Sequence, residues 1–149
     1  MKIKFLGTAA AEGIPAIWCE CQLCRQAKLN GNKDFRLRTS YLIDSDTLVD
    51  LGPDASFQMA RYGIDLLQIS RLIYTHHHAD HLDPSIFVFR KDGWFSHVTR
   101  QIKVFGPGPV LASILSFIAD DCNFISFDEI NVIPVRLEHG VPVDDGDIR

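Results

Sequence analysis

Apolar and polar positions alternate at the start of the chain, where residues 2–6 (Lys2-Ile3-Lys4-Phe5-Leu6) read as a strand. The small-residue run from Gly7 to Gly13 then predicts a loop able to approach another group closely. A short helical pattern covers Cys21 to Leu29 and ends near Gly31. Apolar runs at 40–43 and 47–51 flank Asp44-Ser45-Asp46 and predict a hairpin. Gly52-Pro53-Asp54 breaks the chain, and Asp54 is placed to cap a helix closing at Gly63. The β-rich run 71–75 leads straight into a cluster of histidines. A helix is predicted from Pro84, a strand over 102–105, a helix over 110–119 and a late strand over 132–137. Strands and helices alternate without a repeat or linker, so the predicted class is α/β, or α+β with a mixed sheet.

Composition changes this picture little. At 149 residues, 46% hydrophobic and 23% charged, the chain is long enough for one domain with a core. A net charge of -4 argues against a surface built for non-specific nucleic-acid binding. The basic cluster Arg25, Lys28, Lys33, Arg36 and Arg38 reads best as a solvated face beside a loop. The N-terminus lacks the uninterrupted apolar stretch of a signal peptide, and no segment is long enough to span a membrane. With three of four cysteines clustered, a reducing cytoplasmic setting is expected, in which close cysteines suggest metal before disulfides.

The chemistry concentrates in Thr75-His76-His77-His78-Ala79-Asp80-His81, which contains His-x-His-x-Asp-His. In an extended segment residues i and i+2 point the same way, so His76 and His78 are expected to grip one ion together. Asp80 and His81, on the following turn, are expected to face a second. Imidazoles with a carboxylate suit zinc, and also manganese or iron. Two such ions about 3.5–4 Å apart can hold a bridging hydroxide and polarise a phosphoryl or carbonyl oxygen. A histidine-rich surface loop or a purification tag would not place an aspartate between histidines directly after a β-run. His77 points away from its neighbours, and His97 has no pattern around it; both read as surface or supporting residues.

Cys19-Glu20-Cys21-Gln22-Leu23-Cys24 supplies a second cluster, Cys-x-Cys-x-x-Cys. Thiolates this close can wrap one tetrahedral zinc, with a fourth ligand from elsewhere. Cys122 is a candidate for it, although an isolated cysteine is more often a small buried hydrophobe.

The histidine motif resembles the signature of the metallo-β-lactamase superfamily. Leu48-Val49-Asp50-Leu51-Gly52 resembles the family's strand ending in Asp-x-Gly, and Phe5-Leu6-Gly7-Thr8 resembles the opening of its phosphodiesterase branch. Glu138-His139-Gly140 matches the position of the third histidine of the first metal site. The cysteine spacing, with Gly13-Ile14-Pro15 and Arg36-Leu37-Arg38-Thr39-Ser40, is similar to the phosphoribosyl cyclic phosphodiesterases of phosphonate breakdown.

This resemblance implies an αβ/βα sandwich of which residues 1–149 form the N-terminal portion of a single domain. It also implies two divalent ions (zinc or manganese) at His76, His78, Asp80, His81 and His139, with Asp80 catalytic and Asp50 supporting the metal loop. Cys19, Cys21 and Cys24 would hold a structural zinc, completed in that branch by a histidine near the C-terminus. The expected activity is hydrolysis of a small, cyclic or sugar-like phosphodiester by a metal-bound hydroxide, with Arg36 or Arg38 holding a phosphate. A small-molecule substrate is expected, with no membrane or nucleic-acid partner and with a homodimer left open.

The family pattern also calls for a bridging aspartate and a last histidine beyond the third. Only Asp144, Asp145 and Asp147 follow His139, too soon and in another setting, so the centre is expected to be incomplete. A tRNA 3′-end processing nuclease shares the histidine motif but should carry a basic arm that is not seen here. A thioester hydrolase of the glyoxalase type would open differently, and β-lactamase activity would call for a secretion signal. A non-catalytic metal-binding fragment is the reading from outside the enzymes.

Overall fold

The computed structural model of the protein describes residues 1–123 and 126–146; the side chains of Asn32, Asp121 and Cys122 lie outside that description. Cys122 as a fourth zinc ligand, and Asp147, therefore fall outside the described residues.

Six strands form one sheet in chain order: β1 (Ile3–Gly7), β2 (Ser40–Ile43), β3 (Thr47–Val49), β4 (Arg71–Ile73), β5 (Ile102–Gly106) and β6 (Val132–Arg136). The first three run antiparallel, and β3 to β6 are mutually parallel. The sheet is therefore mixed, as the alternating pattern predicts. Three α-helices connect it, α1 (Gln22–Asn30), α2 (Ala55–Tyr62) and α3 (Gly108–Cys122).

Period-2 alternation divides each strand between two faces. Leu6, Leu42, Leu48, Leu72, Val104 and Val132 face the helices and bury against Ala55, Phe87, Val110, Ile114 and Ile118. Burying each large aliphatic side chain contributes about 1.5–3 kcal/mol, so this layer fixes the sheet's register. On the opposite face Phe5, Tyr41, Val49, Ile73, Phe105 and Val135 are cross-strand partners in one continuous row.

Three local expectations are corrected. Asp54 stands at the N-cap position of α2 but makes no capping hydrogen bond. Its carboxylate instead takes Arg38, accepting from the backbone N at 2.8 Å and from Nη1 at 2.7 Å, a charge-assisted pair stronger than a neutral cap. The segment from Pro84 to Arg90 is a 3₁₀ rather than an α-helix, with Asp83 capping Ser85 N. Its run Ile86-Phe87-Val88-Phe89 is β-branched and aromatic, which lowers α propensity. The helix expected over 110–119 begins at Gly108 and runs to Cys122.

Candidate metal centre

The site is built where parallel strands β3 and β4 end side by side, at the paired residues Val49 and Ile73. One residue beyond β3, Asp50 takes a left-handed φ of 56°, which aspartate tolerates better than most residues. This turns its side chain out of the strand while leaving it completely buried. The carboxylate accepts from Thr75 N at 2.8 Å and from Thr75 Oγ1 at 2.9 Å. It also meets His81 Nδ1 at 2.7 Å. An Nδ1–H donated to that carboxylate leaves the lone pair of His81 on Nε2, the tautomer a metal ligand needs.

Gly52 completes the Asp-x-Gly motif for a steric reason. A Cβ there would stand 2.4 Å from the carbonyl oxygen of Asp80, so only glycine lets the two loops touch. Behind them, buried Tyr74 donates to Leu51 O at 3.4 Å, and burial together with the Asp50 charge raises its pKa well above the ordinary range. It is a fixed phenol and not a catalytic acid at neutral pH.

Residues 79–81 form a turn. His81 N and Leu82 N both bond to His78 O, closing a turn that brings Asp80 and His81 back over His76. One ligand atom each from His76, Asp80 and His81 lie within 4.8 Å of one another. The His76 and His81 ring centroids are 4.1 Å apart, and His81 Nε2 is 3.3 Å from Asp80 Oδ2. Burial, and then the neighbouring His81 and His78 rings, lower the pKa of His76, which favours the neutral, coordinating form. His76 Nδ1 lies 3.0 Å from Thr75 Oγ1.

The turn thus adds Asp80 and His81 to His76 in one group. His78 is exposed and packs edge-on against His76 at 4.7 Å between centroids, outside the three-residue cluster. His139 lies in the exposed turn after β6, beyond the same carboxyl edge of the parallel strands, and is also outside the cluster. His77 is exposed, and His97 is a surface residue 3.6 Å from Asp92. Asp145 accepts from Arg71 at 3.2 Å and from Lys103, and so is committed to an ion pair. Asp144 accepts from Gly146 N at 2.9 Å.

The cysteines converge as their spacing suggests. Cys19, Cys21 and Cys24 place their sulfurs within 4.8 Å of one another. Cys21 caps α1 by accepting from Cys24 N at 3.5 Å, and that bond is the first cause lowering its thiol pKa to about 7. Buried Cys24 accepts from Ala16 N at 3.4 Å. Amide donors aimed at sulfur stabilise thiolates, so the donor set suits a soft divalent ion with one position still to fill. The preceding loop is held down by Thr8 N and Ala9 N donating to Leu37 O and by the reciprocal bonds of Ile14 with Arg36. Gly7 permits this approach, since a Cβ would meet Arg38 O at 1.9 Å.

Of the two arginines expected at a phosphate, Arg38 is tied to Asp54 and donates from Nε to Ala11 O at 2.8 Å. Arg36 Nη1 donates to Lys33 O at 2.9 Å and to Phe35 O at 3.2 Å. Both guanidinium groups are thus engaged in structural contacts. The Arg38–Asp54 pair was not foreseen; Asp54's place two residues after Gly52, where a cap was expected, hid it.

Residues 34–82 match the metallo-beta-lactamase superfamily. The chain is similar in structure to a diphosphatase of the PhnP family, with a TM-score of 0.67 and 25% identity over 92% of this chain and 51% of the other. It also superposes on zinc-bound PqqB from Methylobacterium extorquens (TM-score 0.65, 19% identity, 91% of this chain and 46% of the other). The short form of human tRNase Z gives 0.60 and 20%, over 97% and 46%. By sequence, an octanoyltransferase of Porphyromonas gingivalis is 36% identical over 118 residues, 76% of this chain and 22% of that protein. The chain thus spans about half the length of the solved structures it resembles and about a fifth of this curated relative. The superfamily matched by residues 34–82 consists largely of metal-dependent hydrolases. Among the described residues no helix is long and apolar enough to cross a membrane.

Proposed function

We propose that the chain is the metal-binding half of a hydrolase that cleaves a small, cyclic or sugar-like phosphodiester. The observation that carries this reading is the buried Asp50 carboxylate on His81 Nδ1, which presents Nε2 towards His76 and Asp80. A surface cluster of histidines has no need of such a support. His76, Asp80 and His81 form the core of the metal site, with His78 and His139 as the ligands that close on binding; Asp80 doubles as the catalytic carboxylate. Divalent zinc or manganese, two ions in all, would supply Lewis acidity towards a phosphoryl oxygen. Cys19, Cys21 and Cys24 hold a separate structural zinc.

The phosphodiester substrate is supported by the likeness to a PhnP-family diphosphatase combined with the cysteine cluster. RNA processing is less favoured: the likeness to tRNase Z is one of fold, and a net charge of -4 does not favour binding a polynucleotide. Acyl transfer is not carried over from the bacterial relative, because this chain matches only 22% of that protein.

The test is elemental analysis of the purified protein together with hydrolysis of bis(p-nitrophenyl) phosphate. Two divalent ions at the histidine site and turnover lost in Asp80→Asn are expected. Metal-free protein, or turnover untouched by that substitution, would reject the proposal in favour of a non-catalytic fragment.

A further inference from the structure

A cavity of about 320 Å³ lies between α2, the 3₁₀ segments Leu66–Gln68 and Pro84–Arg90, and the first residues of β5. That is at the lower end of the roughly 300–1,000 Å³ typical of small-molecule sites. Its wall is almost wholly apolar, formed chiefly by Met59, Leu67, Ile69, Ile86, Phe87 and Ile102. Leu67 and Phe89 remain about half exposed, so the mouth is apolar as well.

One cation reaches this wall, Arg90. Its Nε donates to Ile130 O at 3.1 Å, and Nη2 donates to Arg100 O at 2.6 Å and Asn131 O at 3.1 Å. Three of its five N–H groups are thereby used, and the two on Nη1 have no partner among the described residues. No carboxylate pairs with it there, and desolvation alone lowers its pKa to about 10, so it is still charged at neutral pH. Arg100, outside the lining, donates from Nη1 to the carbonyl of the lining residue Leu67 at 2.8 Å. Asp65, the nearby acid, accepts from Leu67 N and Gln68 Nε2 instead. A largely buried cation without a counter-ion is costly, and an anion entering beside it removes that cost.

We propose that this cavity binds a medium-chain aliphatic carboxylate, with its tail among Met59, Ile86 and Phe87 and its carboxylate on Arg90. The volume equals that of roughly ten liquid waters, which suits a tail of about eight to ten carbons. The tail supplies affinity through apolar burial, and the unpaired guanidinium supplies the preference for an acid over a neutral amphiphile. The site uses none of the proposed metal ligands and does not rest on the hydrolase reading.

The probe is octanoate, titrated calorimetrically into the whole chain below its micelle concentration and compared with hexanoate and 1-octanol. Each buried methylene is worth about fourfold, so hexanoate should bind roughly 15-fold more weakly. Octanol should bind at least tenfold more weakly than octanoate. Arg90→Gln should erase the preference for the acid, and Met59→Trp should block both ligands by filling the cavity. Chelation of bound metal should leave octanoate binding unchanged. Equal binding of octanoate and octanol by the unmodified chain, absence of chain-length dependence, or undiminished binding in Met59→Trp would each overturn the proposal. The first two tests need no substitution, so they stand even where a variant fails to fold.

Discussion

Replacing Asp50 by asparagine isolates the contact on which the metal reading depends. The amide is nearly isosteric, fits the same space and tolerates the left-handed φ of 56°. Its oxygen can keep the bonds from Thr75 N and Thr75 Oγ1, made in the native protein at 2.8 and 3.1 Å. The change falls on His81, whose Nδ1 sits 2.7 Å from the other carboxylate oxygen. There the amide presents N–H groups. Either two donors confront each other, or the imidazole moves its proton to Nε2 and loses the lone pair that would bind metal.

Loss of one charge-assisted hydrogen bond costs about 1.5–3 kcal/mol. For a chain of this size that corresponds to a fall in Tm of roughly 3–12 °C, at about 2–4 °C per kcal/mol. Supporting residues of this kind typically alter metal affinity by about 10–100-fold. The assay is competition for zinc against a chromophoric chelator, run beside thermal unfolding of the metal-free protein. A variant with lowered Tm but zinc affinity within twofold of the native value would refute the reasoning. Asp50 would then be a structural carboxylate only, and His81 would not be oriented for a metal.

Four further outcomes are expected. Gly52→Ala should destabilise by about 1–3 kcal/mol and weaken metal binding together, because its Cβ meets Asp80 O at 2.4 Å; thermal unfolding with the same zinc competition checks both. Cys21, with its thiol near pH 7, should be the first cysteine alkylated by iodoacetamide in zinc-free protein at pH 7 and should be protected by zinc, as peptide mass mapping would report. The Asp145 carboxyl is held below its ordinary range by Lys103 and Arg71. Its contribution is therefore fully present above the usual carboxylate pKa and is lost as pH falls through the lowered value, and Asp145→Asn should flatten that part of an acid-unfolding curve. Arg38→Met should lower Tm by leaving Asp54 without its partner, and at unchanged metal content it should alter KM for bis(p-nitrophenyl) phosphate little, since its guanidinium is engaged by Asp54 and Ala11.

What could be read from the chain was what depends on local pattern. The strands, the hairpin turning at Asp44 and the end of α1 at Gly31 follow from alternation and turn chemistry acting within a few residues. The cysteine cluster was legible for the same reason: its three sulfurs converge through one helix N-terminus. The histidine segment was legible as a metal motif because its residues lie within one short stretch. The hydrogen bonds of His81 N and Leu82 N to His78 O close a turn that groups Asp80 and His81 with His76, which spacing alone does not show. Long-range choices were out of reach. Nothing local says that Asp54 prefers Arg38, sixteen residues back, to the helix it precedes. The seat of Arg90 likewise depends on carbonyls forty residues away.

The two clusters capable of holding metal are built on different principles, and this decides how each responds to perturbation. The cysteines lie within six residues and are ordered by their own backbone amides, so they need the rest of the fold only to hold down the loop before them. The histidine centre has no such autonomy. It exists because β3 and β4 are parallel and end in register, so that Asp50 and Thr75 emerge side by side and the buried carboxylate can reach both Thr75 and His81. Gly52 then lets the second loop rest on the first, and the Leu51–Leu82 bridge seals the contact. The buried carboxylate that orients His81 thus also ties the end of β3 to the loop after β4. Fold stability and metal affinity are coupled at this site through the same few bonds, and metal binding there should stabilise the sheet edge that creates it.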